Sequence, residues 1–194
     1  MRILITGGTG FLGQQLCRVL LHENHQLTVL TRKPNVIFKR YQGKVRAIAR
    51  LGDLTLEDYF DVVINLAGEG IADKPWTNQR KRLLYSSRVT LTEELVDWMQ
   101  RANTPPKTFI SSSAIGWYGN QHDAIVDEDS PPHEEYIHRL CDEWEQAALA
   151  AHHLPTRVCV LRTGVVLGLQ GGMLKRLWPV FALNLGGRLG DGKQ

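Results

Sequence analysis

Apolar and polar residues follow two different periods along the chain, and these periods predict alternating strands and helices. Short apolar runs typical of buried strands lie at residues 2–6, 27–30, 45–48, 62–66, 108–111 and 157–161. Apolar residues that recur every three or four positions predict helices at 11–23, near Leu56, at 78–102 and after Pro131-Pro132. Strands that alternate with helices indicate an α/β fold with a doubly wound parallel sheet, whose ligands bind at the carboxyl ends of the strands.

The first predicted strand continues directly into a glycine-rich turn, and a helical pattern begins at once. Gly7 permits a sharp turn, Gly10 lets a pyrophosphate approach the main chain, and Gly13 lets the helix pack closely on the strand. The helix N-terminus offers free N–H groups and the positive end of its dipole to phosphates. This order of elements predicts a Rossmann-type dinucleotide-binding domain, and a tight turn without a ligand is the alternative.

The end of the second predicted strand bears on which dinucleotide binds. In dinucleotide folds, an acidic residue roughly 20 positions after the glycines binds the ribose 2′-hydroxyl of NAD. Here Thr31, Arg32 and Lys33 stand in that place, without a carboxylate. The Arg32 guanidinium suits a 2′-phosphate and can stack on adenine, and Thr31 can add a hydroxyl donor. The sequence therefore predicts NADP(H), and solvated loop charges are the alternative interpretation of the basic pair.

Composition and charge narrow the class of protein. The 194 residues are 43% hydrophobic and 22% charged, as in ordinary globular domains. A net charge of +3 is too small to indicate a nucleic acid or an anionic membrane as a partner. Apolar runs fall short of the roughly 18 residues that a membrane span needs. The three cysteines lack a Cys-x-x-Cys pair and are typical of reduced cytosolic thiols. We expect a cytoplasmic protein.

A metal site is not predicted. His152 and His153 are adjacent in the sequence, so they point to different faces of a helix. Neither histidine has cysteine or carboxylate partners at the spacing of metal ligands. Both are interpreted as surface histidines.

Several segments together resemble the extended short-chain dehydrogenase/reductase superfamily. They are the glycine turn at 6–13, the Asn-Leu-Ala-Gly segment at 65–68, the serine region at 111–119 and the acidic-proline loop at 127–131. A narrower set is similar to the atypical subgroup called "epimerase family protein", at 68–69, 74–77, 87–89, 144–145 and 162–168. The resemblance covers essentially the whole chain.

The resemblance, together with the turn and the basic strand end, implies a set of cofactor contacts. Leu66 and Ala67 are expected on the adenosine side, Arg88 at a cofactor phosphate and Val166 toward the nicotinamide. A solvated helix cation is the alternative for Arg88. The full predicted set is Gly7, Thr9, Gly10, Phe11, Leu12, Gly13, Thr31, Arg32, Leu66, Ala67, Arg88 and Val166.

The catalytic pattern of the superfamily is matched only in part. Standard members use a serine, a tyrosine and a lysine that follows the tyrosine by four residues. The lysine lowers the pKa of the tyrosine from its ordinary value of about 10. Ser113 matches the serine and Tyr136 stands where the tyrosine is expected, but Leu140 takes the place of the lysine. Arg139 lies on nearly the same helix face as Tyr136 and could stabilise its phenolate electrostatically, and Tyr118 is a second candidate acid. The alternatives are a strand-end hydroxyl that bonds the backbone for Ser113, an exposed aromatic at a helix start for Tyr136, and loop packing beside Trp117 for Tyr118.

Two functions are therefore open. The first is an NADP(H)-dependent oxidoreductase or epimerase that acts on a carbonyl or hydroxyl of a small molecule, with a nucleotide sugar as one candidate. The second is a non-catalytic dinucleotide-binding regulator or scaffold, because relatives in this subgroup include cell-division factors. Superfamily relatives often pair through the long helix and its neighbour, so a homodimer is a candidate assembly.

The last residues bear on domain organisation. Residues 185–194 are rich in glycine and predict a loop, without a closing strand or helix. The subgroup normally continues past this point into a C-terminal, substrate-side domain. We therefore expect a dinucleotide-binding domain at 1–170, an incomplete start of the substrate-side region at 171–194, and truncation before the rest of that region.

Overall fold

A six-stranded sheet organises the fold. The structure, a computed structural model, describes residues 1–169 and 171–188. The sheet has the order β3-β2-β1-β4-β5-β6. Its strands are β1 (Arg2–Thr6), β2 (Gln26–Leu30), β3 (Arg46–Ile48), β4 (Val62–Asn65), β5 (Thr108–Ala114) and β6 (Arg157–Thr163). β1 pairs in parallel with β2 on one side and with β4 on the other. This strand order confirms the predicted α/β, Rossmann-type fold and places the switch point between β1 and β4.

The helices confirm three of the four predicted positions, and two further helices, at residues 34–41 and 172–182, were not predicted. The helices are α1 (Phe11–His22), α2 (Pro34–Tyr41), α3 (Asn78–Tyr85), α4 (Leu91–Arg101), α5 (Tyr136–Leu149) and α6 (Gly172–Ala182). The helix predicted at 78–102 is divided by a π-helical segment, Ser86–Thr90. The short helical piece predicted near Leu56 was misplaced, because the 3₁₀ helix lies earlier, at Leu51–Asp53, and Leu56 itself is in a turn. There, Asp58 accepts hydrogen bonds from the backbone and the hydroxyl of Thr55, and these bonds hold a turn.

Buried side chains cover both faces of the sheet. Successive residues of a strand point to opposite faces, so Ile3 and Ile5 pack in a cluster with α1 and α2. Leu4 packs on the other side with residues of α4 and α5. Burial of each such side chain contributes about 1.5–3 kcal/mol. Packing on both faces fixes the strand ends that carry the site.

A second compact unit begins at Thr163. It contains β7 (Leu167–Gly168), which bridges in antiparallel fashion to residues 171 and 172, and α6. Val166 belongs to this unit. Residues 185–188 have no regular structure, as predicted, and the rest of the predicted loop lies outside the described residues. The predicted domain division after residue 170 stays a prediction.

Candidate functional site

The turn after β1 requires glycine at two positions for different reasons. Gly7 has φ +66°, in the left-handed region, and its carbonyl accepts a 2.8 Å hydrogen bond from the Gly10 N–H. A Cβ at Gly13 would lie 2.3 Å from the Gly7 oxygen, so only glycine allows α1 to pack this closely. Gly10 is the N-cap residue of α1 and has no side chain to cap the helix. The first N–H groups of α1 can therefore bind an anion.

The ends of β1 and β4 are tied together by buried polar groups. The Thr6 hydroxyl donates to Oδ1 of Asn65 at 2.7 Å. It also accepts from the backbone N–H groups of Leu66 and Ala67, at 3.1 and 3.0 Å. Asn65 was visible in the sequence as the polar break in an apolar run. Its bond with Thr6 fixes Leu66 and Ala67 beside the glycine turn.

A cleft of about 780 Å³ opens at the carboxyl ends of β1, β2 and β4. Its size is that of pockets that hold small molecules and cofactors. Seven of the predicted cofactor residues line it, namely Gly7, Thr9, Gly10, Thr31, Arg32, Leu66 and Ala67. Phe11, Leu12 and Gly13 lie in the first turn of α1, behind the glycine turn. The contact predicted for Val166, in the second unit, stays a prediction.

Arg32 and Glu69 form an ion pair on the lining of this cleft. Nη2 of Arg32 lies 2.8 Å from Oε1 of Glu69, and Nη1 of Arg80 lies 3.3 Å from Oε2. The Arg32 side chain is 85% exposed, whereas those of Glu69 and Arg80 are 18% and 6% exposed. Burial alone would raise the pKa of Glu69, but the two guanidinium groups hold it below its ordinary value. Sequence reasoning noted Glu69 as part of a family segment and missed this role.

Arg88 lies in the π-helical segment Ser86–Thr90, a type of irregularity that is frequent at functional sites. Its Nη2 donates to the carbonyl oxygen of Glu69 at 2.8 Å, and its Nη1 donates to that of Leu84 at 3.3 Å. Its guanidinium carbon lies 5.4 Å from the ring centroid of Trp144. Burial lowers the pKa of Arg88. These contacts place its guanidinium beside the loop after β4, and its predicted phosphate contact stays a prediction.

Ser113 belongs to a buried network that the sequence did not reveal. Its hydroxyl donates to Oε1 of Glu145 at 2.5 Å. Nε and Nη2 of Arg162 donate to the two oxygens of Glu145, each at 2.9 Å. Hydrogen bonding to Glu145 raises the pKa of Arg162. Glu145 and Arg162 both fall in segments that carry the family resemblance, which was the available signal.

Tyr118 joins the same network. Its hydroxyl accepts a hydrogen bond from Nη1 of Arg162 at 3.2 Å. The Arg162 guanidinium carbon also lies 3.5 Å from the ring centroid of Trp117. The structure therefore brings two of the three candidate catalytic residues, Ser113 and Tyr118, to one arginine–glutamate pair.

Tyr136, the first residue of α5, has different neighbours. Its ring lies 5.4 Å from that of Trp76, and Nζ of Lys81 lies 4.6 Å from the ring centroid. Burial raises the pKa of Tyr136. Arg139, considered as its cationic partner, lies 3.4 Å from the Glu134 carboxylate at the surface. The cations that act on Tyr136, Lys81 at its ring and Arg88 through its charge, come from α3 and the π-helical segment and not from its own helix.

Within residues 1–169 and 171–188, no three or more His, Cys, Asp or Glu side chains group in a way that could hold a metal ion. Over the same residues, none of the helices has the length and apolar character needed to cross a membrane.

Comparisons of sequence identify the family. The model of the NAD dependent epimerase/dehydratase family matches residues 3–193. The "Epimerase family protein SDR39U1 homolog, chloroplastic" of Arabidopsis thaliana is 36% identical over 201 residues, which cover 100% of this chain and 57% of the relative. "Epimerase family protein YfhF" of Bacillus subtilis is 33% identical and is covered to 64%, against 100% of this chain. The chain thus spans roughly three fifths of the length of these relatives.

Solved structures agree with this result. Human epimerase family protein SDR39U1, crystallised with NADPH, has a TM-score of 0.86 and 33% identity, over 100% of this chain and 64% of the human chain. UDP-glucuronic acid 4-epimerase from Bacillus cereus, in complex with NAD, has a TM-score of 0.80 and 20% identity, over 100% and 68% of the two chains. The second likeness supports the fold alone. The chain belongs to the NAD dependent epimerase/dehydratase family, and the predicted resemblance is confirmed.

Proposed function

We propose that this family member binds NADP(H) in the cleft and acts as an oxidoreductase or epimerase on a carbonyl or hydroxyl of a small molecule. The observation that carries the proposal is the cleft itself. It joins the Gly7–Gly10 turn at the N-terminus of α1 to Arg32 at the end of β2. A pyrophosphate fits the first feature and a 2′-phosphate fits the second. A nucleotide sugar is the candidate substrate class, in keeping with the family.

Three observations support NADP(H) over NAD. The residues after β2 that line the cleft are Thr31, Arg32 and Lys33, with a cation where NAD-binding folds place a carboxylate. The Thr31 oxygen accepts from the Lys33 N–H at 3.1 Å, so its own proton stays available to a phosphate. In addition, the human relative was crystallised with NADPH.

The residues of this chain would position the substrate and move a proton, while the bound cofactor supplies hydride transfer. A carboxylate only accepts hydrogen bonds, so the Ser113 proton points at Glu145. The Ser113 oxygen can therefore accept a hydrogen bond from a substrate hydroxyl. Tyr118 accepts from Arg162 and keeps its own proton to donate, and Arg162 would stabilise the charge left behind. Tyr136, with Lys81 at its ring, is the other candidate proton donor.

A non-catalytic dinucleotide-binding regulator or scaffold is the second candidate function. Leu140, in the place of the usual lysine, is buried in a cluster with Leu84 and Trp144. An apolar residue there supplies no charge to activate a tyrosine. The Ser113–Glu145–Arg162 network also has the character of a structural tie between β5, α5 and β6.

Location and assembly are further proposals. The three cysteines are free, which supports a reducing compartment such as the cytoplasm. The Arabidopsis relative is chloroplastic, so an organelle is the alternative. We propose a homodimer through α4 and its neighbour α5, and sedimentation analysis of the purified chain tests it.

Titration with NADPH and with NADH tests the proposed function. A ligand that binds only the native state raises its stability by RT ln(1 + [L]/Kd), so selective binding raises the melting temperature. We expect a clear rise with NADPH and a smaller one with NADH, and ATP serves as a control for general anion binding. Selective binding would then justify a screen of carbonyl substrates. Equal shifts would contradict the preference for NADP(H), and no shift would contradict cofactor binding.

A further inference from the structure

We propose that Glu69 is a positioning residue for cofactor selectivity, because it holds the Arg32 guanidinium on the lining of the cleft, ready for a 2′-phosphate. The two side chains come from the ends of β4 and β2 and meet at 2.8 Å. Both residues line the cleft at the switch point. The inference rests on the proposed NADP(H) binding and adds a residue that acts on the cofactor through Arg32.

Hydrogen bonds hold both the main chain and the side chain of Glu69 in place. Its backbone N–H donates to the Ser87 hydroxyl at 3.1 Å, and its carbonyl accepts from Arg88 at 2.8 Å. Its side chain accepts from Arg80 at 3.3 Å. Three residues of the α3–π segment therefore hold Glu69 through both its main chain and its side chain.

Arg80 also balances the charge of Glu69. Its guanidinium, 6% exposed, contacts the Glu69 carboxylate and donates to the Gly70 carbonyl at 2.5 Å. The Thr77 hydroxyl caps the helix on which Arg80 lies. Arg80 also lies 4.0 Å from Oδ2 of Asp73, so it shares its charge between two carboxylates. Arg32 contacts Glu69 through one nitrogen, Nη2, and its other N–H donors stay available to an anion.

Arg32 is the exposed partner of the pair, and its contact with Glu69 restrains its side chain. Its side chain is 85% exposed, and a long exposed side chain loses conformational entropy when it binds a ligand. A side chain that is held in place beforehand loses less of that entropy on binding. Arg32 contacts Glu69 through Nη2, and a guanidinium has five N–H donors in one plane. The same group can therefore keep Glu69 and bind a phosphate.

A double-mutant cycle tests the inference. Wild type, Glu69→Gln, Arg32→Gln and the double variant are titrated with NADPH, NADH, 2′,5′-ADP and 5′-AMP. We expect Glu69→Gln to weaken binding of NADPH and 2′,5′-ADP about three- to tenfold, the scale of ordering one long side chain, with NADH and 5′-AMP changed less than about twofold. In the Arg32→Gln background, the Glu69 substitution should change nothing further. A role in general stability would not produce this pattern.

Glu93→Gln is the matched control, since Glu93 is an exposed residue of α4 outside the cleft lining and its substitution removes the same charge. Its NADPH-to-NADH affinity ratio should stay that of wild type. If Glu69→Gln fails to fold, Glu69→Asp withdraws the carboxylate from Arg32 and should lower the same ratio. If Glu69→Gln leaves the NADPH-to-NADH affinity ratio unchanged, the inference about Glu69 is overturned. It is also overturned if the variant binds NADPH more tightly, because Glu69 would then compete with the 2′-phosphate for Arg32. A wild type without NADPH selectivity overturns the proposed cofactor as well.

Discussion

The Ser113 hydroxyl donates a 2.5 Å hydrogen bond to Oε1 of Glu145, and this bond joins β5 to α5 in the interior of the protein. Glu145 is in turn bound by two nitrogens of Arg162 on β6. The charge of a buried carboxylate is stable only when it is paired and hydrogen-bonded. The candidate catalytic serine is therefore also part of the network that joins β5, α5 and β6.

Glu145→Gln should destabilise the fold. The substitution leaves Arg162, whose side chain is 20% exposed, without its charged partner. Loss of one partner of a buried pair costs 3–5 kcal/mol, and we expect about 2–4 kcal/mol here because Arg162 reaches solvent. Urea unfolding measures the loss. Glu143→Gln, at an exposed position of the same helix, should change stability by less than about 0.5 kcal/mol. Equal midpoints for the two variants would contradict the structural role of the network.

Ser113→Ala separates binding from catalysis. Ser113 does not line the cleft, so NADPH affinity should stay close to that of wild type. Any carbonyl reduction that the chain supports should be lost, whereas stability falls by only about 1 kcal/mol because Glu145 keeps Arg162. Ser112→Ala, on the opposite face of β5, is the control. Turnover retained by Ser113→Ala would remove Ser113 from the mechanism and favour the scaffold function.

Arg32→Asp should weaken NADPH binding far more than NADH binding. A hydrogen bond to a charged group contributes about 1.5–3 kcal/mol, so the loss for NADPH is expected to be tenfold or more. Isothermal titration with both cofactors measures it. Arg50→Asp makes the same charge change at another residue of the cleft and should affect both cofactors alike. Equal losses for both cofactors in Arg32→Asp would contradict recognition of the 2′-phosphate.

Substitution of the two glycines Gly10 and Gly13 should affect different properties, cofactor binding in the first case and stability in the second. Gly13→Ala places a Cβ 2.3 Å from a backbone oxygen, and such overpacking costs about 1–3 kcal/mol. A Cβ at Gly10 meets its nearest atom at 3.1 Å, so Gly10→Ala should cost about 1 kcal/mol and chiefly weaken NADPH binding. Gly52→Ala, with nothing within 4 Å of the new Cβ, is the control. Melting temperatures and NADPH titrations distinguish the variants, and equal melting temperatures for all three would contradict the packing role of Gly13.

The buried thiol of Cys141 should make the free energy of unfolding fall as the pH rises above 9. Burial raises the pKa of its thiol from 9.0 to about 11. The unfolded chain loses this proton first, so the thiol stabilises the native state below pH 9 and loses that contribution as the pH rises toward 11. Between pH 9 and 11, the free energy of unfolding should fall by about 1.4 kcal/mol per pH unit. Denaturant unfolding between pH 8 and 11 measures it, with Cys141→Ala as the comparison. Parallel curves for wild type and variant would contradict the shift.

Much of the fold was predictable because it depends on local pattern. Leu4 and Ile5 alternate between the two sheet faces as their spacing requires, and both are fully buried. The turn at Leu56 was predicted wrongly because the side chain of Asp58, three residues after Thr55, closes it with hydrogen bonds that apolar spacing does not reveal. The π-helical break at Ser86–Thr90 was missed for a similar reason, since apolar residues continue at helical spacing across it.

The sequence by itself determined the dinucleotide frame, because backbone conformation at Gly7 and close packing at Gly13 depend on residue type within one short segment. Tertiary structure alone decided which charges meet. Ser113 and Glu145 are 32 positions apart, and Glu69 meets Arg32 only because β4 and β2 end at the same edge of the sheet. Hydrogen bonds and ion pairs act over a few ångströms in space. Distance along the chain therefore does not predict them, and the folded sheet is what brings these partners together.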